Sequence, residues 1–339
     1  MLVLKLMVSP KRPLLANYNG RYHMKLTKSA IALALLSSFS LSAAAADVVV
    51  YGKANVSFQM TDDGEGSFTE VKSNASRIGF KGDHKLNDDL KIVYKAEFQV
   101  DIDGDDDNFT ERTQYIGLVG SFGETYLGKG DTMLKQSQGK IDLFNDLEGD
   151  IKVLWAGENR SGDSVAYITP SFNGFKFGAT YIAEDDGADE DAGLSLAAFY
   201  GDKNLKKSKV YASLSHDMEV SSKTRAFGTS GLYDITRASI QGKVAGMKLG
   251  AIYHTQENVD TGAELDGYLV SASYGIKNWT LKGQYQVADM DGGQEKSGFS
   301  LGADYKLAKP TKAYVFYTTF DNDLSDDKDY LGVGLEHKF

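Results

Sequence analysis

Hydrophobic residues recur at every second position through much of the chain. Leu90, Ile92, Tyr94, Ala96, Phe98 and Val100 share one face, and Lys91, Lys95, Glu97, Gln99 and Asp101 share the other. Trp279, Leu281, Gly283, Tyr285 and Val287 oppose Thr280, Lys282, Gln284 and Gln286, while Tyr268, Val270, Ala272, Tyr274 and Ile276 oppose Ser271, Ser273 and Lys277. A period of two predicts strands, and the hydrophilic second face predicts contact with water rather than with a packed core. The pattern persists to the last side chain: Leu331, Val333, Leu335, His337 and Phe339 alternate with Tyr330, Gly332, Gly334, Glu336 and Lys338. Chain ends ordinarily fray, so a terminus patterned this far predicts a closing seam. One face suits lipid and the other water, which predicts transmembrane β-strands, and from Asp47 onward sixteen segments can be strands.

Periodicity alone does not separate a barrel from a β-sandwich, but the joins do. Those after odd-numbered segments are long and polar: roughly Asp62–Asn74, Asp103–Thr110, Asp131–Asn159, Glu184–Ala192, Asp217–Asp234, Gln256–Asp266, Asp289–Lys296 and Asp321–Asp329. Those after even-numbered segments are short, as at Gly120–Gly123, Ser171–Gly174, Ala245–Met247, Lys277–Asn278 and Ala308–Pro310, with Gly201–Lys207 the one loose member. Long loops on one rim and tight turns on the other predict an all-β, antiparallel, sixteen-stranded up-and-down barrel.

Composition fits that reading. The 339 residues include no Cys, which excludes disulfides and thiolate metal sites. Lys25 and Lys28, a mostly apolar Ile31–Leu41 stretch and the small residues Ala43 to Ala46 predict a secretory signal peptide over 24–46, cleaved after Ala46. Met24 would be a normal start, so residues 1–23 are expected to be a non-native extension and 47–339 the barrel. Beyond the leader no apolar run is long enough for a spanning helix. The leader holds six basic residues and no acid, so its removal moves the net charge from −10 to −16. A secreted chain this acidic is a poor nucleic-acid binder, and the charge predicts a mild preference for cations.

The join Asp131–Asn159 exceeds the ordinary loop range, and its Met133, Leu134, Ile141, Leu143, Phe144, Leu147, Ile151, Leu154 and Trp155 argue against disorder. Asp142, Asp146 and Asp150 recur every fourth residue, a spacing that on a helical turn stacks three carboxylates beside the stripe Leu143, Leu147 and Ile151. Such a segment can fold inward, lay its apolar residues on the wall and show carboxylates to the lumen. An outward loop with a solvated acidic face is the plainer alternative.

At these residues a family resemblance emerges over Asp47–Phe339. Tyr51, Gly52 and Lys53 resemble the first strand, and Arg77 to Gly82 the second-strand motif, of the sixteen-stranded trimeric Gram-negative general porins. Arg112 stands five residues before Gly117 and Arg160 seven before Tyr167, as the arginines of the family's fourth and sixth strands do. Asp142, Asp146, Gly149 and Asp150 fall where the family has its acidic constriction motif, departing from it with Asn145 for a proline and Asp146 for a glutamate. The resemblance implies an outer-membrane homotrimer, exported through the periplasm, embedded in lipid and lipopolysaccharide and passing small hydrophilic solutes and ions. It also implies a second loop reaching a neighbouring subunit and a terminal phenylalanine read by the assembly machinery.

Lys53, Arg77, Arg112 and Arg160 all fall on the lumen-facing parity, Arg77 alternating with outward Ile78 and Phe80, Arg112 with Tyr115, and Arg160 with Val165 and Tyr167. A basic half-ring opposite an acidic loop predicts a transverse field across a narrow aqueous gap. Any one of these cations could instead be paired with a neighbouring wall carboxylate. The small outward residues Gly52 and Ala54 suggest close packing against a second subunit.

Other chemistries find less support. The acidic run Asp101–Glu111 fails the EF-hand spacing, with Asn108 and Gln114 where Gly and Glu are needed. Five scattered histidines offer no metal-ligand spacing, and only His216 near the outer rim suggests a serine–histidine arrangement, without a nucleophile elbow. No catalytic residue, metal or cofactor is expected. A solute-specific channel and a structural or adhesive barrel without an open pore remain alternatives. About 293 residues over sixteen strands, roughly 18 each with their joins, leave no plug domain.

Overall fold

The computed structural model describes residues 48–104, 109–184 and 192–339, so the expected signal peptide and extension lie outside the described residues. Strand alternation carries through almost the whole of it. The first half contains β1 (Val49–Asp62), β2 (Ser67–Ser73), β3 (Arg77–Lys85), β4 (Leu90–Gln99), β5 (Thr110–Gly120), β6 (Gly123–Asp131), a short helix α1 (Met133–Ser137), β7 (Arg160–Ile168) and β8 (Phe175–Ile182). The second half contains β9 (Gly193–Gly201), β10 (Val210–Thr224), β11 (Thr229–Val244), β12 (Met247–Asn258), β13 (Ala263–Ile276) and β14 (Trp279–Met290). It ends with β15 (Gln294–Lys306), β16 (Thr311–Asn322) and β17 (Lys328–Lys338).

All seventeen strands join one sheet, in which β1 pairs with β17 and leaves the barrel closed. β2 and β3 are two lengths of a single stave. Both run antiparallel to β1, β2 along Val56–Asp62 and β3 along Val49–Lys53, so the barrel has sixteen staves as the alternation predicts. The break falls at Asn74–Ser76, where Ala75 turns into the left-handed region at φ 51°. Closure removes the open sheet edges that lipid cannot satisfy.

The outer wall is apolar by parity. On β1, Val50, Phe58 and Met60 are exposed, while Lys53, Asn55, Ser57, Gln59 and Thr61 face inward and are buried. The strands over the second half are longer than the joins suggest. β10 and β11 hold 15 and 16 residues, against about 9–11 needed to cross a bilayer. Their polar ends, expected as loops over Asp217–Asp234, are therefore strand extensions carrying the ladder past the membrane into water.

The seam reaches the last residue: Gly52 N donates to Phe339 O at 2.9 Å and Phe339 N to Gly52 O at 3.1 Å. A Cβ on Gly52 would lie 2.2 Å from the Phe339 ring. The smallness of Gly52, expected from subunit packing, has a cause within the chain itself, since that Cβ would also lie 2.7 Å from the backbone Arg77 O.

The core sits inside the barrel. Ile141, Ile151, Leu154 and Trp155 pack on Ile252, Leu265, Leu269, Ala288 and Phe320 of the inner wall, and Phe144 and Leu147 pack on Tyr314 and Phe316. The long third join therefore lies inside the barrel, packed on one side of its inner wall.

Candidate functional site

The segment 132–159 leaves β6 and immediately forms α1, capped by Thr132, whose hydroxyl accepts from Lys135 N at 3.3 Å. Met133 fits over the Cβ-less surface of Gly178. Leu134 N donates to Ser195 Oγ at 3.0 Å, and Ser137 O accepts from Tyr211 and Ser213. Both ends of the segment meet at one buried cation. Arg237 Nη1 donates to Glu158 Oε1 at 2.8 Å, and its guanidinium also reaches Leu134 O and Ala156 O. The Trp155 indole stacks on His254 with centroids 4.9 Å apart and donates to Val287 O at 2.8 Å, in space left by Gly267.

From these anchors the segment runs along the wall. Ile141 O accepts from Ser271, Leu143 N donates to Gln284 Oε1 at 2.8 Å, and Gln284 Nε2 donates back to Gly149 O at 3.0 Å. Its tip then reaches the first stave. Asp146 lies 2.7 Å from Lys53 Nζ and 2.6 Å from Arg77 Nη2. Glu148 pairs with Lys72 and accepts from Gln59 Nε2 at 3.0 Å.

The three aspartates do not share a helix face. Residues 141–150 are turns and bends, and α-helix occurs in this segment only at Met133–Ser137. The cause is competition by side-chain acceptors. Asp142 accepts from Phe144 N at 2.9 Å and Ile151 N at 3.2 Å; Asp150 accepts from Lys152 N at 2.9 Å and Asp146 N at 3.0 Å. Two of the three carboxylates therefore hold the segment's own backbone, and Asp142 and Asp150 are 8% and 2% exposed. Burial, then the nearby Asp150 charge, pushes the Asp142 carboxyl up to about 8. Burial acts the same way on Asp146, but the Arg77 and Lys53 charges outweigh it and hold that carboxyl well below the usual range.

The four basic residues separate into two pairs. Lys53 and Arg77 meet the tip carboxylate, whereas Arg112 Nε donates to Glu97 Oε1 at 2.9 Å and Arg160 lies 2.8 Å from Asp131. Arg112 reaches the lumen through a bulge and not through parity. The β4–β5 register shifts between Ala96 and Phe98, so Tyr115, expected outward, faces inward and lines a cavity with Thr113 and Tyr126. That cavity, about 270 Å³, lies beside Gln136 against β4–β8, the side of the lumen that the segment leaves uncovered.

Glu97 was not singled out by sequence reasoning, although its inward parity was readable. It accepts from Tyr51 OH and Arg112, and lies 3.2 Å from Lys95 and 3.9 Å from Arg77. Arg237 and Trp155 were likewise missed as anchors. Their signal was present as apolar residues on the inward parity (Ile235, Ile252, Leu269, Phe316, Phe320), which mark where the wall must be covered.

Comparison with known proteins places this geometry. The family described as Gram-negative porin matches residues 30–325. The major outer membrane protein P.IB of Neisseria meningitidis is 26% identical over 347 residues, covering 92% of this chain and 99% of that protein. The Neisseria sicca protein of the same name is 34% identical over 177 residues, about half of each chain. Among solved structures, an anion-selective porin from Comamonas acidovorans superposes with a TM-score of 0.74 at 19% identity, covering 86% of this chain and 99% of that one.

Proposed function

The chain belongs to the Gram-negative porin family, channel-forming barrels of the outer membrane, and we propose that it is a general diffusion pore for small hydrophilic solutes and ions. The observation that carries this reading is the path of the segment 132–159. It is fixed to the wall from β9 to β16 and tied by Asp146 to Lys53 and Arg77. That path leaves a waist along β3–β8, where Arg77, Arg112 and Arg160 sit with Glu97 and Asp131. The wall there is a fixed array of paired charges and hydroxyls. It can replace part of a polar solute's hydration but offers an apolar solute nothing in exchange for lost water. Passage is passive, with no catalytic or metal-assisted step.

Two charge layers act in series. The acidic outer joins favour cations at the mouth, while at the waist Lys53, Arg77, Lys95, Arg112 and Arg160 face Asp146, Glu97 and Asp131. Exposed mouth charges are screened at high salt, and charges confined between low-dielectric walls much less so. The net result is a mild cation preference that is strongest in dilute salt. Asp142, whose carboxyl burial pushes up, and Asp150, committed to backbone N–H groups, contribute less than Asp146. The assembly is a homotrimer, by analogy with the family.

The test is reversal potential and single-channel current in planar bilayers under a KCl gradient. Three equal conductance steps and a dilute-salt potential of cation-selective sign support the reading. Asp146→Asn, which releases Lys53 and Arg77, shifts the potential towards anions. Silence in the bilayer defeats the channel itself, and anion preference in dilute salt defeats the two-layer account.

A further inference from the structure

The inner-rim join between β9 and β10 is longer than its neighbours, and the barrel puts that length to a specific use. Asp202 gathers the turn around its carboxylate, accepting from the N–H groups of Asn204 at 2.9 Å, Lys206 at 2.9 Å and Lys207 at 3.0 Å. Leu205 adopts φ 54° and is buried. The turn is then clipped to inward-facing side chains of β11: Gln241 donates to Lys203 O, and Lys243 Nζ to Leu205 O at 2.6 Å. Gln241 shares its parity with Arg237, so the turn folds under the lumen rather than hanging from the rim.

This fold places Lys203 and Lys206 opposite Lys140 of the crossing segment. With Lys248 and Lys282 they line a cavity of about 390 Å³. Its two carboxyls do not balance them. Asp142 is occupied by backbone N–H groups, and Asp304 is shared between Lys282 at 3.3 Å and Lys312 at 2.8 Å. Among the described residues no carboxylate lies within 4.0 Å of the Lys140, Lys203, Lys206 or Lys248 ammonium groups. Lys140 stays open to the cavity, and partial desolvation there, then the Lys203 and Lys338 charges, hold it below the usual lysine range.

We propose that the inward-folded turn and Lys140 form a subsite for small multivalent oxyanions of the phosphate and pyrophosphate class, entered from the inner rim. Uncompensated ammoniums around a confined aqueous cavity recognise compact, highly charged oxygen acceptors, while chloride, with one diffuse charge, gains little. The subsite rests on the open-channel reading for its access but not for its chemistry.

Pyrophosphate binding to the folded barrel in detergent, followed by calorimetry, tests the subsite without requiring conduction. Saturable binding is expected, with Lys140→Gln plus Lys203→Gln weakening it by about tenfold or more, the loss of two charge-assisted contacts. In bilayers, pyrophosphate should reduce KCl current more from one side than from the other, and the double variant should remove that asymmetry. Single Lys206→Gln and Lys248→Gln variants provide a second measurement should the double variant fold poorly, and each should weaken binding. Absence of saturable binding, or binding unchanged in the variants, overturns the proposal. Binding that persists in a barrel without KCl current supports the subsite while refuting the open pore.

Discussion

Asp142 and Asp146 lie four residues apart and respond to protons in opposite senses. Unfolded, Asp142 ionises in the ordinary carboxylate range; folded, it does so only near about 8. Its contribution to the docked segment is therefore full below the ordinary value and is lost as pH rises through about 8. Asp146 is depressed by Arg77 and Lys53, so its contribution is present above the ordinary value and disappears only as pH falls through the lowered one. Open-channel current noise should accordingly grow as pH rises through about 8, as Asp142 takes on charge beside Asp150. Asp142→Asn keeps one acceptor for Phe144 N and loses the bond to Ile151 N, at a cost of about 1 kcal/mol. It should flatten the noise profile, and a profile as steep as wild type would refute the assignment. Sequence parity puts Lys53 and Arg77 on the inward face, and the structure brings both to Asp146, but spacing could not show that Asp142 and Asp150 face backbone N–H groups. That outcome depends on which acceptor wins a local competition with helix formation.

At the scale of elements, the segment 132–159 is held more by its roots than by its tip. Arg237 is fully buried and joins Glu158, Leu134 O and Ala156 O, while Trp155 fills the space over Gly267. Arg237→Ala would leave Glu158 buried without its cation, destabilising the docked segment by about 3–5 kcal/mol. Single-channel traces should then show frequent closures, and limited proteolysis should cut within 132–159. Arg237→Lys, a point charge that cannot reach all three acceptors, should fall between the two. Quiet, protease-resistant channels from Arg237→Ala would place the anchor elsewhere. The segment's length and apolar content announced a packed element, and inward apolar residues such as Leu269 and Phe316 announced its footprint. Two irregularities were not legible: the break at Asn74–Ser76 and the bulge before Tyr115. Parity arguments assume an uninterrupted pleat, and one extra residue reverses every side chain beyond it.

The whole molecule depends on one non-local step, the return of β17 to β1. Among the described residues no strand pairing separates its partners by more of the chain, and loop-closure entropy makes such a contact slow to form. Its last rung joins Gly52 to Phe339 through two backbone bonds, with the ring lying where a Gly52 side chain would be. Deleting Phe339 removes both bonds and the ring, yet touches nothing that faces the lumen, because Phe339 shares the outward parity of Leu331, Val333 and Leu335. Gly52→Ala attacks the same rung differently. Its Cβ would lie 2.2 Å from the Phe339 ring, which can swing aside, and 2.7 Å from Arg77 O, which belongs to the β3 backbone and cannot. Both changes should lower the fraction of chains that reach the compact, closed form in gel mobility assays. Barrels that do close should conduct as wild type does, since Lys53 and Arg77 keep their places at Asp146. Gly52→Ala combined with Phe339 deletion should fold no better than Gly52→Ala alone, because the backbone clash survives loss of the ring. An altered unitary conductance in the deletion variant would mean that the seam and the waist are mechanically coupled, and that closure sets the pore as well as completing the wall.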